Sequence, residues 1–189
     1  TTLLILPLSH IIASHPHEYI YYNSFAGGVK KAYGKYEMDY FYHTLRAGSE
    51  WLIENRIKDA KPDSGKKITV MCNLRVDYYF REYEDIVKTG YIRYYERGNK
   101  DWDYAILANS YINPHQLQKG IWPPANTIHA IKVKGKPVCA IVERKNRFDL
   151  EGYKLLKENK PMEAIPYFQR ALREDPKMEH VYLNLARAF

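Results

Sequence analysis

"ITVMCNLRVDYYFREYEDIVKTGYIRYYERGNKDWDYAILA", residues 68–108, is the stretch on which the fold turns. It opens with Ile68–Cys72, a short apolar run rich in strand formers. Val76, Tyr79, Phe80, Tyr83, Ile86 and Val87 then recur at helical spacing, which predicts a helix over 76–87 stopped by Gly90. "YIRYY" (91–95) reads as the next strand, "ERGNKD" (96–101) as a turn, and "DYAILA" (103–108) as a third, buried strand. Strand, helix, strand and strand in this order imply a right-handed parallel crossover.

Working outward, "PHQLQKG" (114–120) reads as a short helix. "TIHAIKV" (127–133) and "PVCAIVE" (137–143), joined by "KGK" with Gly135 at the turn, read as an antiparallel hairpin. Upstream, Leu45, Gly48, Trp51 and Leu52 follow helical spacing within "HTLRAGSEWLIENRIKDA" and predict an amphipathic helix over 43–58 that covers one sheet face. "KPDSGKK" (61–67) then breaks the pattern as a polar turn. The expected fold is α/β: a small mixed-sheet sandwich over 44–145, preceded by a tyrosine-rich segment (1–43) and followed by helices (146–189), with "ERKNR" (143–147) as linker.

The 189 residues hold one domain and a small appendage, and 46% hydrophobic with 27% charged residues are globular values. The net charge of +7 is uneven. Residues 1–64 and 148–189 each carry seven basic and seven acidic residues, so 65–147 holds the whole excess. Eighteen tyrosines against six phenylalanines favour surfaces with an apolar body and a polar tip. The chain begins without Met and stops inside a helical pattern, so it reads as part of a longer protein. "TTLLILPLSHIIA" (1–13) is too short for a membrane span and lacks the basic flank of a signal peptide. It reads either as the stub of a span or as a core helix. Cys72 and Cys139 lie in apolar runs, which leaves a disulfide and two buried thiols both open, and their spacing is not that of a zinc site.

Few residues carry chemistry. "FAGGVKKAYGK" (25–35) is glycine-rich and basic, so it offers either a phosphate cradle or a plain turn, and the turn is the simpler reading. Pro16 holds its neighbours extended, which would point His15 and His17 the same way, but no further metal ligands accompany them. Glu37 and Asp39 would share one face as an acid/base pair, yet no nucleophile matches them and Tyr36 and Tyr40 look like packing. Lys132, Lys134 and Lys136 alternate along a hairpin as a solvated face does, and no nucleic-acid motif is present. Nucleic acid is therefore not an expected partner, whereas anionic lipid head groups suit the same charges.

Residues 148–189, "FDLEGYKLLKENKPMEAIPYFQRALREDPKMEHVYLNLARAF", resemble the tetratricopeptide (TPR) repeat. Phe148 stands at the aromatic position and Gly152 at the small one. Ala164, Phe168 and Ala171 line the second helix and Pro176 ends it. Tyr182, Leu185, Ala186 and Phe189 recur 34 residues after Phe148, Glu151, Gly152 and Leu155, so a second repeat is expected to begin in register.

"HPHEYIYYNSFAGGVKKAYGKYEMDYF" (15–41) resembles the segment that follows the last membrane span in bacterial members of the dolichyl-phosphate-mannose–protein mannosyltransferase family, which are GT-C-type glycosyltransferases. His15, Pro16, Tyr19, Tyr22 and Asn23 carry the resemblance, then Gly27 and Gly28, then Tyr36, Glu37, Asp39 and Tyr40. "EWLIEN", "DYAILANSY" and "NTIHAIKVKGKPVCAIVERK" extend it to residue 145. It implies an extracytoplasmic (periplasmic) domain tethered by an upstream membrane region, with the tyrosines near the interface. The family's catalytic acids lie in a loop that no part of this chain matches, so no catalytic residue and no cofactor is expected here. His15, His17, Tyr21, Tyr22, Asn23 and Asp39 remain candidates for ligand or interface contact, with packing the simpler role. The expected function is an accessory domain of a transferase using a polyprenyl-phosphate sugar donor, with a protein partner on the TPR. A non-enzymatic TPR adaptor is the alternative.

Overall fold

The computed structural model describes residues 4–61 and 65–189. Five strands form one mixed sheet in the order β2-β1-β3-β5-β4. These are β1 (Ile68–Cys72), β2 (Val87–Tyr91), β3 (Tyr104–Ala108), β4 (Thr127–Val133) and β5 (Lys136–Glu143). β1 pairs in parallel with β2 and β3, while β5 pairs antiparallel with β3 and β4. The hairpin turns through Lys134 and Gly135, both with positive φ, the geometry that matches strand twist in a two-residue turn.

Side chains alternate across the sheet as the period of two requires. Ala105, Leu107, Val138, Ala140 and Val142 pack into one core, and Ile106, Ala108, Cys139 and Ile141 into the other. Helix α3 (His43–Leu52), prolonged by one wider turn over Ile53–Ile57, covers the second face. Its Leu45, Gly48 and Leu52 are buried, and Trp51 stacks on His129 of β4 with 4.3 Å between ring centres. The first face is covered by the tyrosine-rich segment. Ile20, Val29, Ala32, Tyr33 and Met38 pack there with Trp102 and Trp122, Leu117 of α4 (Pro114–Gln118) and the short helix α2 (Gly28–Ala32).

The crossover differs from its expected form. Only Asp77–Tyr83 is helical, as a tight 3₁₀ run, and Val76 and Phe80 are its buried anchors. Val87 opens β2 and Ile86 is the turn residue just before it, whose carbonyl accepts from the Ile68 amide at 2.8 Å. The apolar stripe had merged a helical turn with the strand after it. Gly90 lies inside β2 opposite Met71, and Tyr94–Glu96 forms a 3₁₀ turn where a strand was expected. Part of the polar turn expected at 61–67 lies outside the described residues, as do the first three residues of the apolar N-terminal run. From Ile5 to Ser14 that run is a helix, α1. Among the described residues no helix is long and apolar enough to cross a membrane.

Three helices close the chain: α5 (Phe148–Lys157), α6 (Pro161–Glu174) and α7 (Glu179–Ala188). Ala164, Phe168, Ala171 and Val181 form their core, with Phe148 and Leu155 packed against it, and Pro176 follows α6. Gly152 is needed for spacing: a Cβ there would sit 2.6 Å from Cε1 of Phe168. On α7 the buried residues are His180, Val181, Asn184 and Ala188. Of the positions expected to repeat Phe148, Gly152 and Leu155, Tyr182, Ala186 and Phe189 are exposed, because α7 turns its other face to α6.

Candidate functional site

The residues singled out in the N-terminal segment do not converge on one cleft. A turn closed by the His17 amide on the Ser14 carbonyl at 2.6 Å sends the two histidines to opposite environments. His15 is exposed and pairs with Glu18, whereas His17 is buried. Burial holds the His17 imidazole below its usual 6.5 against the pull of Asp39 and Glu18. Glu37 and Asp39 separate too: Glu37 is exposed, and Asp39 has no accessible surface. The shared face that would make them an acid/base pair, a reading the sequence already disfavours, is therefore not formed.

Asp39 has a structural assignment instead. Its carboxylate accepts from the Tyr19 hydroxyl, from the Thr44 hydroxyl and from the Thr44 amide at 3.2 Å. Thr44 lies in the first turn of α3, so an anion there satisfies an orphan amide and meets the positive end of the helix. Burial and the Asp39 contact together push the Tyr19 phenol well above its usual value. The Tyr22 hydroxyl donates to the Glu37 carbonyl, and its ring stacks on Tyr36 at 5.8 Å. Asn23 accepts from the Ala26 amide at 3.0 Å and so closes the glycine turn. Tyr21 is exposed, edge-on to His10 at 5.0 Å. Tyr36 and Tyr40, expected as packing, are largely exposed.

Two arrangements were not foreseen. The first is a groove of about 480 Å³ between α1 and the glycine turn, lined by Ser9, His10, Tyr21, Lys30, Lys31 and Lys134 among others, with no carboxylate in its wall. The amides of Ala26, Gly27 and Gly28 are spent within the turn, on Asn23 and Ser24. Those three amides are not open to a phosphate, and the lysine side chains are what the turn adds to the groove.

The second is a buried ionic junction between the sheet and the C-terminal helices. Arg144, in the stretch expected as a linker, is buried. It pairs with Asp149 of α5 and donates to the Lys100 carbonyl at 2.7 Å, with its guanidinium over the Trp102 ring. His180 of α7 reaches the other Asp149 oxygen at 3.1 Å, and a carboxylate only accepts, so Nε2 carries the proton. Arg97 donates twice to Glu179, at 2.8 and 2.9 Å. Arg147 pairs with Asp101 and Asp103. A cavity of about 160 Å³ lies among these groups. They are structural: each cation meets a carboxylate from another segment.

The junction has a pH signature. Burial, and then the Arg97 charge, hold His180 below its usual 6.5 despite Asp149. The unfolded chain therefore takes up this proton first, and stability falls as pH drops below that value. His17 adds a term of the same sign. Burial raises Asp149 and Glu179, but His180 and Arg144 on the one, and Arg97 on the other, outweigh it and leave both below the usual carboxylate range. Their contribution is lost only at lower pH, as they protonate. His180→Gln, which keeps a donor to Asp149, is expected to shrink the fall in urea midpoint between about pH 7.5 and pH 5.5. An unchanged fall would remove His180 from this account.

Cys72 and Cys139 are free and buried, with β3 between their strands. Burial pushes the Cys72 thiol up to about 12 and that of Cys139 well above its usual value. Among the described residues no group of three His, Cys, Asp or Glu side chains is placed to hold a metal ion. In comparisons with known proteins, no family model, no curated protein and no solved structure matches the chain.

Proposed function

We propose that the chain is an accessory domain of a membrane glycosyltransferase that uses a polyprenyl-phosphate sugar donor, set against the extracytoplasmic face of a bacterial membrane. The observation that carries the membrane placement is α1. Its Ile5, Leu8, Ile11 and Ile12 stand exposed, Ile12 at 81%. Exposed apolar surface of this extent on a helix marks a contact with something apolar. Phe25, Tyr21, Tyr36, Tyr40 and Phe41 are also exposed, and such aromatics favour the membrane–water boundary. The transferase assignment itself rests on the resemblance of residues 3–145, and the burial of Asp39 supports assigning the chemistry to chain outside these residues.

The three C-terminal helices are read as a TPR hairpin followed by the first helix of a second repeat, which offers a protein partner the exposed Met162, Tyr167, Tyr182 and Leu183. The ionic junction supports this role, since it fixes the helices to the sheet. An adaptor without enzymatic function uses the same surface and needs no transferase upstream. Sequencing the coding region upstream of Thr1 separates the two. Several hydrophobic spans with an acidic pair in the first loop support the transferase, and a chain with no such spans overturns it.

A further inference from the structure

We infer that the lysine groove binds the phosphate of an anionic lipid in a membrane on which α1 lies, an inference that rests on the membrane placement proposed above. Lys30 and Lys31 come from α2 and Lys134 from the β4–β5 turn, so segments about a hundred residues apart converge on one groove. Among the described residues none of the three forms an ion pair, and no carboxylate lines the groove. What sets these three apart is their convergence: ammonium groups from two distant segments line one groove whose wall holds no carboxylate, an arrangement that suits an anion from outside.

The groove's charge suits an oxyanion, and its apolar borders suit one carried on a lipid. Lysines act as point charges on phosphate and demand no planar partner. Gly27, at φ +75°, has no Cβ to collide with the Lys31 stem, which crosses the turn at that point. Both ring nitrogens of His10 are already engaged, with the Glu18 carbonyl at 3.1 Å and the Ser14 hydroxyl at 3.3 Å, so it forms wall and not ligand. The lipid source follows from what borders the groove. Ser9 and His10 belong to α1, whose neighbouring face carries Ile5, Leu8 and Ile12, and Phe25, fully exposed, follows Ser24 of the opposite wall. A phosphate bound here has apolar side chains beside it on both sides, as a head group above acyl chains requires.

The test is co-sedimentation of the whole chain with vesicles of phosphatidylcholine alone and of phosphatidylcholine with phosphatidylglycerol. Tighter binding to the second is expected. Lys30→Ala with Lys31→Ala should weaken it roughly thirtyfold, from about fivefold per lysine at an anionic surface, with the urea midpoint unchanged. Leu8→Ser with Ile12→Ser should weaken binding to both vesicle types. Equal binding to the two compositions, or a lysine variant as tight as the parent, overturns the groove and leaves the membrane placement standing. Binding to neither overturns both. Inorganic phosphate that displaces the chain from vesicles at the concentration of lipid phosphate assigns the groove to a free anion and overturns the lipid source.

Discussion

Asp149→Ala is expected to cost about 3–5 kcal/mol in urea unfolding, because it leaves two buried groups without their partner. The side chains of Arg144 and His180 are only 3% and 4% exposed, and Asp149 is the carboxylate between them. Breaking a buried pair on one side strands a desolvated charge, which costs far more than the pair contributes relative to water. The loss falls on the attachment of α5 and α7 to the sheet, so the single transition should separate into an early loss of the helices and a later loss of the sheet. Limited proteolysis across 145–148 should accelerate in step. Arg147→Ala is the comparison: its partners Asp101 and Asp103 are 57% and 28% exposed, and surface pairs contribute about 0–1 kcal/mol. Equal costs for the two variants would mean that the junction is solvated and that the C-terminal helices are held by their apolar contacts alone.

That junction shows why part of the molecule is illegible in its sequence. Arg97 sits in "ERGNKD", which reads as a turn, Arg144 in "ERKNR", which reads as a linker, and Asp149, Glu179 and His180 in the helical repeat segment, where the pattern marks only apolar and small positions. Only the fold brings residues 97 and 179 together. The central strands are different. β3 and β5 are buried on both faces and so are continuous apolar runs, and the hairpin turn is local chemistry at Lys134 and Gly135. Their periodicity survives whatever the rest of the chain does. The tyrosine-rich layer has no sustained period: Ile20, Val29, Ala32, Tyr33 and Met38 reach the core from turns and a five-residue helix. Its packing is set by the sheet face that it meets, which no local pattern encodes. The groove was half legible. The basic character of 25–35 stands in the sequence, but Lys134 comes from a distant turn, and the same glycines that suggest a backbone cradle close it with their own hydrogen bonds.

Asp39→Ala is expected to destabilise the chain by about 3 kcal/mol, since it removes the acceptor shared by three donors and leaves buried donors on Tyr19 and Thr44 unmet. Asp39→Asn keeps one acceptor oxygen, cannot accept from all three donors, and should lose about half as much. Thr44→Val removes one donor together with its need and should cost less than either. The gradation matters because a chemical role for Asp39 makes the opposite forecast. A carboxylate that served as acid or base would tolerate asparagine with an unchanged urea midpoint and forfeit only reaction. A carboxylate with no accessible surface, anchored to the first turn of α3 and to a ring of the opposite layer, has no route to a substrate without unfolding that turn. Loss of stability ranked Ala, then Asn, then Val at Thr44 therefore assigns Asp39 to the fold, and an unperturbed Asp39→Asn variant would return it to the chemistry.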